Sequence, residues 1–377
     1  MAFATIDLTK GITGVLPSAN ATYSTPRLNA QPLIINGDMA VAQRGTSTGI
    51  TTPGYYACDR FQTAVGNLAT WTISQDSDVP SGYGFVNSLK LDCTTADASP
   101  STGDVLIVRQ RFEGQDVQLL KKGTSSAEKV TVAFWIKATK TGTNILELFD
   151  RDNSRTISQS YTISSSNTWE YKVINFSADT TGALDDDNNL SFEIAWWLGS
   201  GTDYTSGTLQ TSWGSQTDAD RAVGQVNHGD STSNNVFITG VQMEVGEYTS
   251  STLPPFQHES FGDNLARCQR YLYQINGTGN GRFATGGFFS TTQADVIVSF
   301  PCKMRNTYSI ATSSDSHFAL TSHTAEATPT GLALDTSAVL DAANVRVTVG
   351  SAIGSAGNYA LFLTKSASAK FNFDAEL

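Results

Sequence analysis

Three kinds of residue in this chain are spaced as chemistry would need them: a serine between glycines, runs of carboxylates, and aromatic rings in turn-rich segments. "GTSTG" at 45–49 puts Ser47 in the pattern of a hydrolase nucleophile. That elbow needs a strand before it and a helix after it. Here "ITTPG" follows, with Pro53 close by, so Ser47 reads as part of a polar surface loop. "GTGNG" at 277–281 has the glycines of a phosphate loop, but a dinucleotide fingerprint opens a helix. This run follows a helical pattern and reads as its stop. His228, His258, His317 and His323 stand in polar or loop-like contexts, and no triad can be argued from them.

The carboxylates cluster in "DRDN" at 150–153 and "DDDNN" at 185–189. Asp and Asn oxygens at short spacing can hold calcium, but the EF-hand pattern is absent. Both runs fit turns between strands, where Asp and Asn are favoured. Glycoside hydrolysis needs two carboxyls roughly 5–10 Å apart, and no pair is placed by the sequence. The long repeats of a β-helical depolymerase are missing too. The expectation is therefore not an enzyme. Glycan binding without cleavage needs flat rings for sugar C–H faces and a few polar groups for hydroxyls. Tyr55, Tyr56, Tyr83, Tyr204 and Trp213 lie in turn-rich sequence and are candidates. Trp196 and Trp197 are adjacent, so in a strand they point to opposite faces. One then belongs to the core, and Trp197 is taken as the contact. Phe283, Phe288, Phe289 and His317 are similar candidates nearer the C-terminus.

The elements that must carry these residues follow from composition. Of 377 residues, 39% are hydrophobic and only 16% charged, and Gly is abundant at 32. That suits a turn-rich β protein more than one with long surface helices. Lys plus Arg is 24 and Asp plus Glu is 35, so the formal charge is 24 − 35 = −11. Nucleic-acid binding depends on clustered Lys and Arg, and it is not expected. No apolar run approaches the ~18 residues of a membrane span, and "MAFATIDLTKG" lacks the marks of a secretory signal. Cys58, Cys93, Cys268 and Cys302 are far apart, without metal-ligand spacing. They read as buried thiols of a protein made in a reducing cytoplasm.

Residues 1–32 have little apolar periodicity and no core of their own, so they gain order only against neighbours. From 33 to 255 short strand candidates follow, among them "LIINGDMAVAQRG", "LATWTISQDS", "DVLIVRQRFEG", "KVTVAFWIKATK" and "NLSFEIAWWLGSG". Nine or so strands over this length predict a two-sheet antiparallel sandwich of jelly-roll type, with Phe134, Trp135 and Phe176 in its core. Residues 256–276 read as a single linking helix. Phe261, Leu265, Cys268 or Gln269, and Leu272 fall on one face, and Ser260 with Asp263 forms a weak capping box. Residues 277–377 predict a smaller antiparallel β domain of six to eight strands, with alternation in "VRVTV" and "KFNFDAEL".

These stretches carry a family resemblance. "ITGVLPSANA" resembles segments frequent in phage tail fibres. "LIINGDMAVAQRG", "YACDRF", "SLKLDC" and "FITGVQMEVGEYTSSTLPPFQHESFGDNLARCQRYLYQ" are similar to the carbohydrate-binding-module-like domain of phage tail fibre and tail-associated proteins. The likeness runs from about residue 33 to 377. It implies a virion structural protein on the tail or another outer part of the particle. It also implies a homotrimer attached to other virion proteins through residues 1–32, and adhesion to host-surface glycans. An architectural decoration or neck-fibre protein, or a free carbohydrate-binding module or hydrolase, are the alternatives. Jelly rolls of this kind often hold a structural calcium near their first and last strands, which would engage Asn36, Asp38 and Glu244.

Overall fold

The computed structural model describes residues 32–335 and 339–377. The attachment segment expected at 1–32 thus lies, apart from Pro32, outside the described residues. The chain is mainly β, with one α-helix among the described residues. Strands are numbered along the chain. One sheet of the jelly-roll sandwich has the order β1 (Ser47–Ile50), β4 (Thr70–Asp76), β5 (Ser88–Thr95), β13 (Asn235–Val245), β7 (Val130–Ala138), β10 (Glu170–Phe176). The other has the order β12 (Gly214–Ser215), β9 (Arg155–Ile163), β8 (Gly142–Asp150), β11 (Leu190–Ser200), β6 (Val105–Glu113), β3 (Gln62–Gly66), β2 (Gly54–Tyr55). Neighbours such as β5–β13 and β11–β6 are antiparallel yet distant in sequence. Thirteen strands fill the stretch where about nine were expected.

Alternation builds the core. On β7, Val132, Phe134 and Ile136 point between the sheets and are fully buried. They meet Phe176, Trp71, Phe192 and Trp196 there. Trp135, expected beside Phe134 in this core, points the other way and is only partly buried, because adjacent strand residues face opposite sides. "LIINGDMAVAQRG" was expected as a short strand running into a turn, but residues 33–45 form no strand and run as bends, turns and irregular chain. Side chains satisfy its backbone. Gln110 accepts from Ile35 N–H and donates to Ile35 O, both at 2.9 Å. Asn36 donates to Val41 O and Asp59 O and accepts from Val41 N–H. Buried backbone polar groups must be paired somewhere, and here two buried amides replace a ladder.

The helix α1 spans Phe261–Gln269, shorter than expected. The Ser260 hydroxyl accepts from Asp263 N–H at 3.2 Å and donates to the Asp263 carboxylate at 2.6 Å, a working cap. Cys268 is buried against Ile35, Val41 and Tyr271, with Leu265 at the edge, while Phe261 is exposed. The expected helical face therefore holds at Leu265 and Cys268 and fails at both ends. Leu272 begins a strand, so the helix stops well before "GTGNG".

After the helix, the described residues hold ten strands in two sheets. One is β14 (Leu272–Asn276), β23 (Lys370–Asp374), β17 (Ser309–Thr312). The other is β19 (Glu326–Ala327), β18 (Phe318–Thr321), β22 (Tyr359–Thr364), β15 (Arg282–Phe288), β16 (Gln293–Ser299), β21 (Ala342–Val349), β20 (Pro329–Leu334). Phe318, Phe362, Phe371 and Phe373 centre a second hydrophobic cluster. All four cysteines are free. Cys58, Cys93 and Cys268 are buried, but Cys302 is partly exposed.

Candidate functional site

The outward face of the β1–β10 sheet carries a row of rings. Trp135 on β7 lies directly across from Tyr171 on β10 and from Thr239 on β13. The Trp135 and Tyr171 ring centroids are 5.0 Å apart, and Tyr83 closes on Trp135 at 4.4 Å. Tyr83 comes from the β4–β5 connection and is 56% exposed. Beside them Phe85, Phe256 and His258 form a second cluster with centroids 4.8–5.2 Å apart. Together with Pro254 and Pro255 these rings line an open cleft of about 650 Å³. Gln242 donates to Pro254 O at 3.1 Å and fixes that wall to β13.

A register shift in β13 falls between Thr239 and Gln242, and Gly240 within it has φ +60°. A Cβ there would sit 2.6 Å from Phe85 Cζ and 3.0 Å from Trp135 Cδ1. The bulge thus lets two rings approach the strand closely, a use of glycine typical of such sites. Burial, with the charge of Glu244, pushes the Tyr171 phenol up to about 12. It stays neutral at ordinary pH and keeps its O–H as a donor. Besides Tyr83, the exposed polar side chains lining the cleft are Ser250 and His258. Flat rings plus a few donors and acceptors can hold a sugar. Among the described residues the cleft lining carries no Asp or Glu.

Of the expected glycan contacts, only Tyr83 lies in this cleft. Tyr55 packs at the junction with the C-terminal strands, where its hydroxyl donates to Leu377 O at 3.2 Å and Arg44 lies 5.4 Å over its ring. Tyr56 packs against the sandwich core and donates to Thr52 O. Trp197 is fully buried, and its indole N–H donates to Glu147 at 3.2 Å. Both members of the Trp pair are therefore interior, because the stretch bearing Tyr204 and Leu209 covers the outer face of their sheet. Tyr204 lies 5.3 Å from Trp197, and Trp213 donates to Ser177 O beneath Lys122. Phe283 and Phe288 belong to the second hydrophobic cluster. Phe289 is exposed, with the Arg346 guanidinium over its ring. His317 exchanges a hydrogen bond with Ser313.

The calcium candidates are engaged within the protein. Asn36 is fully buried and spent on Val41 and Asp59. Asp38 accepts from Ala40 N–H and from Asn264. Glu244 is on the outer side of β13, across from Thr131. Among the described residues no three His, Cys, Asp or Glu side chains are grouped to hold a metal. The two acidic runs meet instead as turns, with Asp152 accepting from Asp185 N–H and Asn153 donating to Ala183 O. Ser47 lies in β1 and donates to Tyr56 O.

No family model matches the chain, and no curated protein matches its sequence. Solved structures do. One is the enzymatically active domain of tailspike protein 4 of bacteriophage CBA120, with TM-score 0.30 and 13% identity. That match covers 57% of this chain and 21% of that one, about a fifth of the tailspike chain's length. Another is the family 11 carbohydrate-binding module of Clostridium thermocellum, solved with a β-1,3-1,4-mixed-linked tetrasaccharide. Its TM-score is 0.27 and its identity 11%, over 54% of this chain and 95% of that one. A third is TmCBM61 in complex with β-1,4-galactotriose, with TM-score 0.26 and 11% identity over 53% and 99%.

Proposed function

We propose that this chain binds glycans without cleaving them, through the cleft of Tyr83, Trp135 and Tyr171. The observation that carries this reading is the contiguous set of three rings on an open sheet face, spaced at 4.4 and 5.0 Å. Sugar C–H faces stack on such rings while hydroxyls meet Ser250, His258 and the two tyrosine hydroxyls. The chain as a whole is read as a phage virion protein, a fibre or fibre-like homotrimer attached through residues 1–32. The sequence stretches that resemble tail fibres support that part. Copies in a trimer multiply weak contacts into avidity.

The test is calorimetric titration of the full chain with neutral oligosaccharides, wild type against Trp135→Ala. Truncating a central aromatic anchor costs ~2 kcal/mol, which is about 30-fold in affinity. Circular dichroism checks that the variant folds. Equal affinity in wild type and variant, or no binding of any oligosaccharide, sinks the glycan reading and leaves the architectural one. Light scattering tests the assembly, and the expected mass is that of three chains.

A further inference from the structure

The opposite face of the sandwich carries a different chemistry. Arg109 and Arg111 on β6 and Glu193 on β11 point outward from the β12–β2 sheet. Phe149 on β8 lies across from Glu193, and Arg151 follows at the end of that strand. The Glu193 side chain is 1% exposed. It accepts from Arg109 at 3.3 Å, Arg111 at 3.2 Å and Arg151 at 2.9 Å. Three guanidiniums share one carboxylate.

The nearby buried side-chain carboxylates are engaged by other cations, and Arg111 also reaches Leu377 O at 2.5 Å. Glu147 is held by both ends of Arg221, at 2.7 and 2.8 Å. Asp150 is paired with Lys122, and Glu376 with Arg44 and Arg60. The patch is thus cationic in a chain of formal charge −11. Its arginines are shielded from water, with side chains 14, 16 and 28% exposed. Burial pulls the Arg109 pKa below its usual range, and Arg111 and Arg151 pull it further, against Glu193. Like charges held this closely disfavour one another, and one arginine would be enough to satisfy Glu193.

The donors are also in surplus. The remaining hydrogen bonds of the three among the described residues are Arg109 to Gln62 and Arg111 to Leu377 O. Most of the roughly fifteen N–H groups on three guanidiniums are therefore uncommitted there. The Arg151 guanidinium lies 3.9 Å over the Phe149 ring, and its buried Nε has no partner among the described residues. A guanidinium fixed on a ring presents its edge, which matches two oxygens of one group.

We propose that Arg109, Arg111 and Arg151 form a second binding site, for the carboxylate or sulfate of an acidic saccharide. The saccharide part rests on the glycan-binding reading, but the site uses the face away from the aromatic cleft. The anion supplies the negative charge that Glu193 alone cannot.

The experiment titrates the full chain at low salt with trigalacturonate, a sulfated disaccharide, neutral galactotriose and a tetraglutamate peptide. It compares wild type with Arg151→Gln, Arg109→Gln and Trp135→Ala. Arg151 is the most exposed of the three, so its variant is expected to fold even if Arg109→Gln does not. Support is saturable binding of trigalacturonate or the sulfated sugar that weakens with salt, falls at least tenfold in Arg151→Gln, and is unchanged in Trp135→Ala. Whichever acidic sugar binds identifies the group. No saturable binding of either, equal binding by Arg151→Gln, or tetraglutamate binding as tightly with the same loss overturns the site. The neutral sugar reads the cleft separately. Failure there with trigalacturonate still bound removes the cleft and keeps the arginine site.

Discussion

Gly240 is a residue whose missing side chain shapes the cleft. Its φ of +60° and the 2.6 Å that would separate an alanine Cβ from Phe85 both oppose a side chain there. The left-handed backbone alone costs an L-residue ~1–2 kcal/mol. Gly240→Ala is therefore expected to lose about that much stability in urea melts, and to push Phe85 and Trp135 apart. Oligosaccharide affinity should fall with it. A variant that melts earlier yet binds normally would show that the rings do not need their present spacing. The sequence made part of this legible. Tyr83 stood out as a ring in a turn. Trp135 did not, although the opposite-face rule applied to Trp196–Trp197 holds equally for Phe134–Trp135. The rule says that two faces are used, not which face stays open. On β7 the outward side is open, and on β11 the covering stretch around Tyr204 closes it. That difference depends on a connection folding back over the sheet, which periodicity within a strand does not encode.

At the scale of elements, the loop between β12 and β13 is tied to the sheet through a histidine that stays neutral. The His228 backbone N–H donates to Leu198 O on β11 at 2.9 Å, and its Nε2 meets Asn144 Oδ1 on β8 at 2.8 Å. Asn144 Oδ1 can only accept, so Nε2 carries the proton, and the buried Nδ1 has no partner among the described residues. Burial, then Lys140, lowers the pKa from 6.5 to about 4, against Asp230. Between these values the unfolded chain binds the proton that the folded chain refuses. Stability from this group is thus complete above pH ~6.5 and drains away as pH falls toward ~4, at up to about 1.4 kcal/mol per unit. Urea melts of wild type and His228→Gln at pH 7, 5.5 and 4.5 should converge as pH drops. A parallel pair of curves, or a His228 resonance titrating near 6.5, counts against it. Elements also mark where sequence reading stops. The Ser260 cap was readable because capping is local. The end of the helix was not, because residues 272–276 become a strand only by pairing with Lys370–Asp374, almost a hundred residues away.

At the scale of the molecule, the C-terminal residues join the two cores. Glu376 reaches into the sandwich and pairs with Arg44 at 3.3 Å and with Arg60, whose side chain is 1% exposed. Arg111 donates to Leu377 O at 2.5 Å, and Arg305 bridges Ala375 O and Asn188 O. From the other side, Arg270 and Tyr271, between α1 and β14, both donate to Glu113 of β6. Burial by itself would lower the Arg60 pKa, and Glu376 together with Tyr271, Tyr55 and Cys268 more than reverses it. The guanidinium also lies 3.4 Å over Tyr271. A buried charge that loses its partner costs ~3–5 kcal/mol, whereas replacing both partners by apolar groups is often neutral. Glu376→Ala should therefore destabilise by about that amount and separate the unfolding of the β14–β23 sheets from that of the sandwich. Calorimetry would then show two transitions where the wild type has one. Arg60→Met combined with Glu376→Leu should restore most of the loss, because it removes the stranded charge. If the double change is as damaging as Glu376→Ala, the junction depends on the geometry of the ion pair rather than on avoiding a lone buried cation. The relative placement of the cleft and the C-terminal strands would then be set by Arg44, Arg60 and Glu376 themselves.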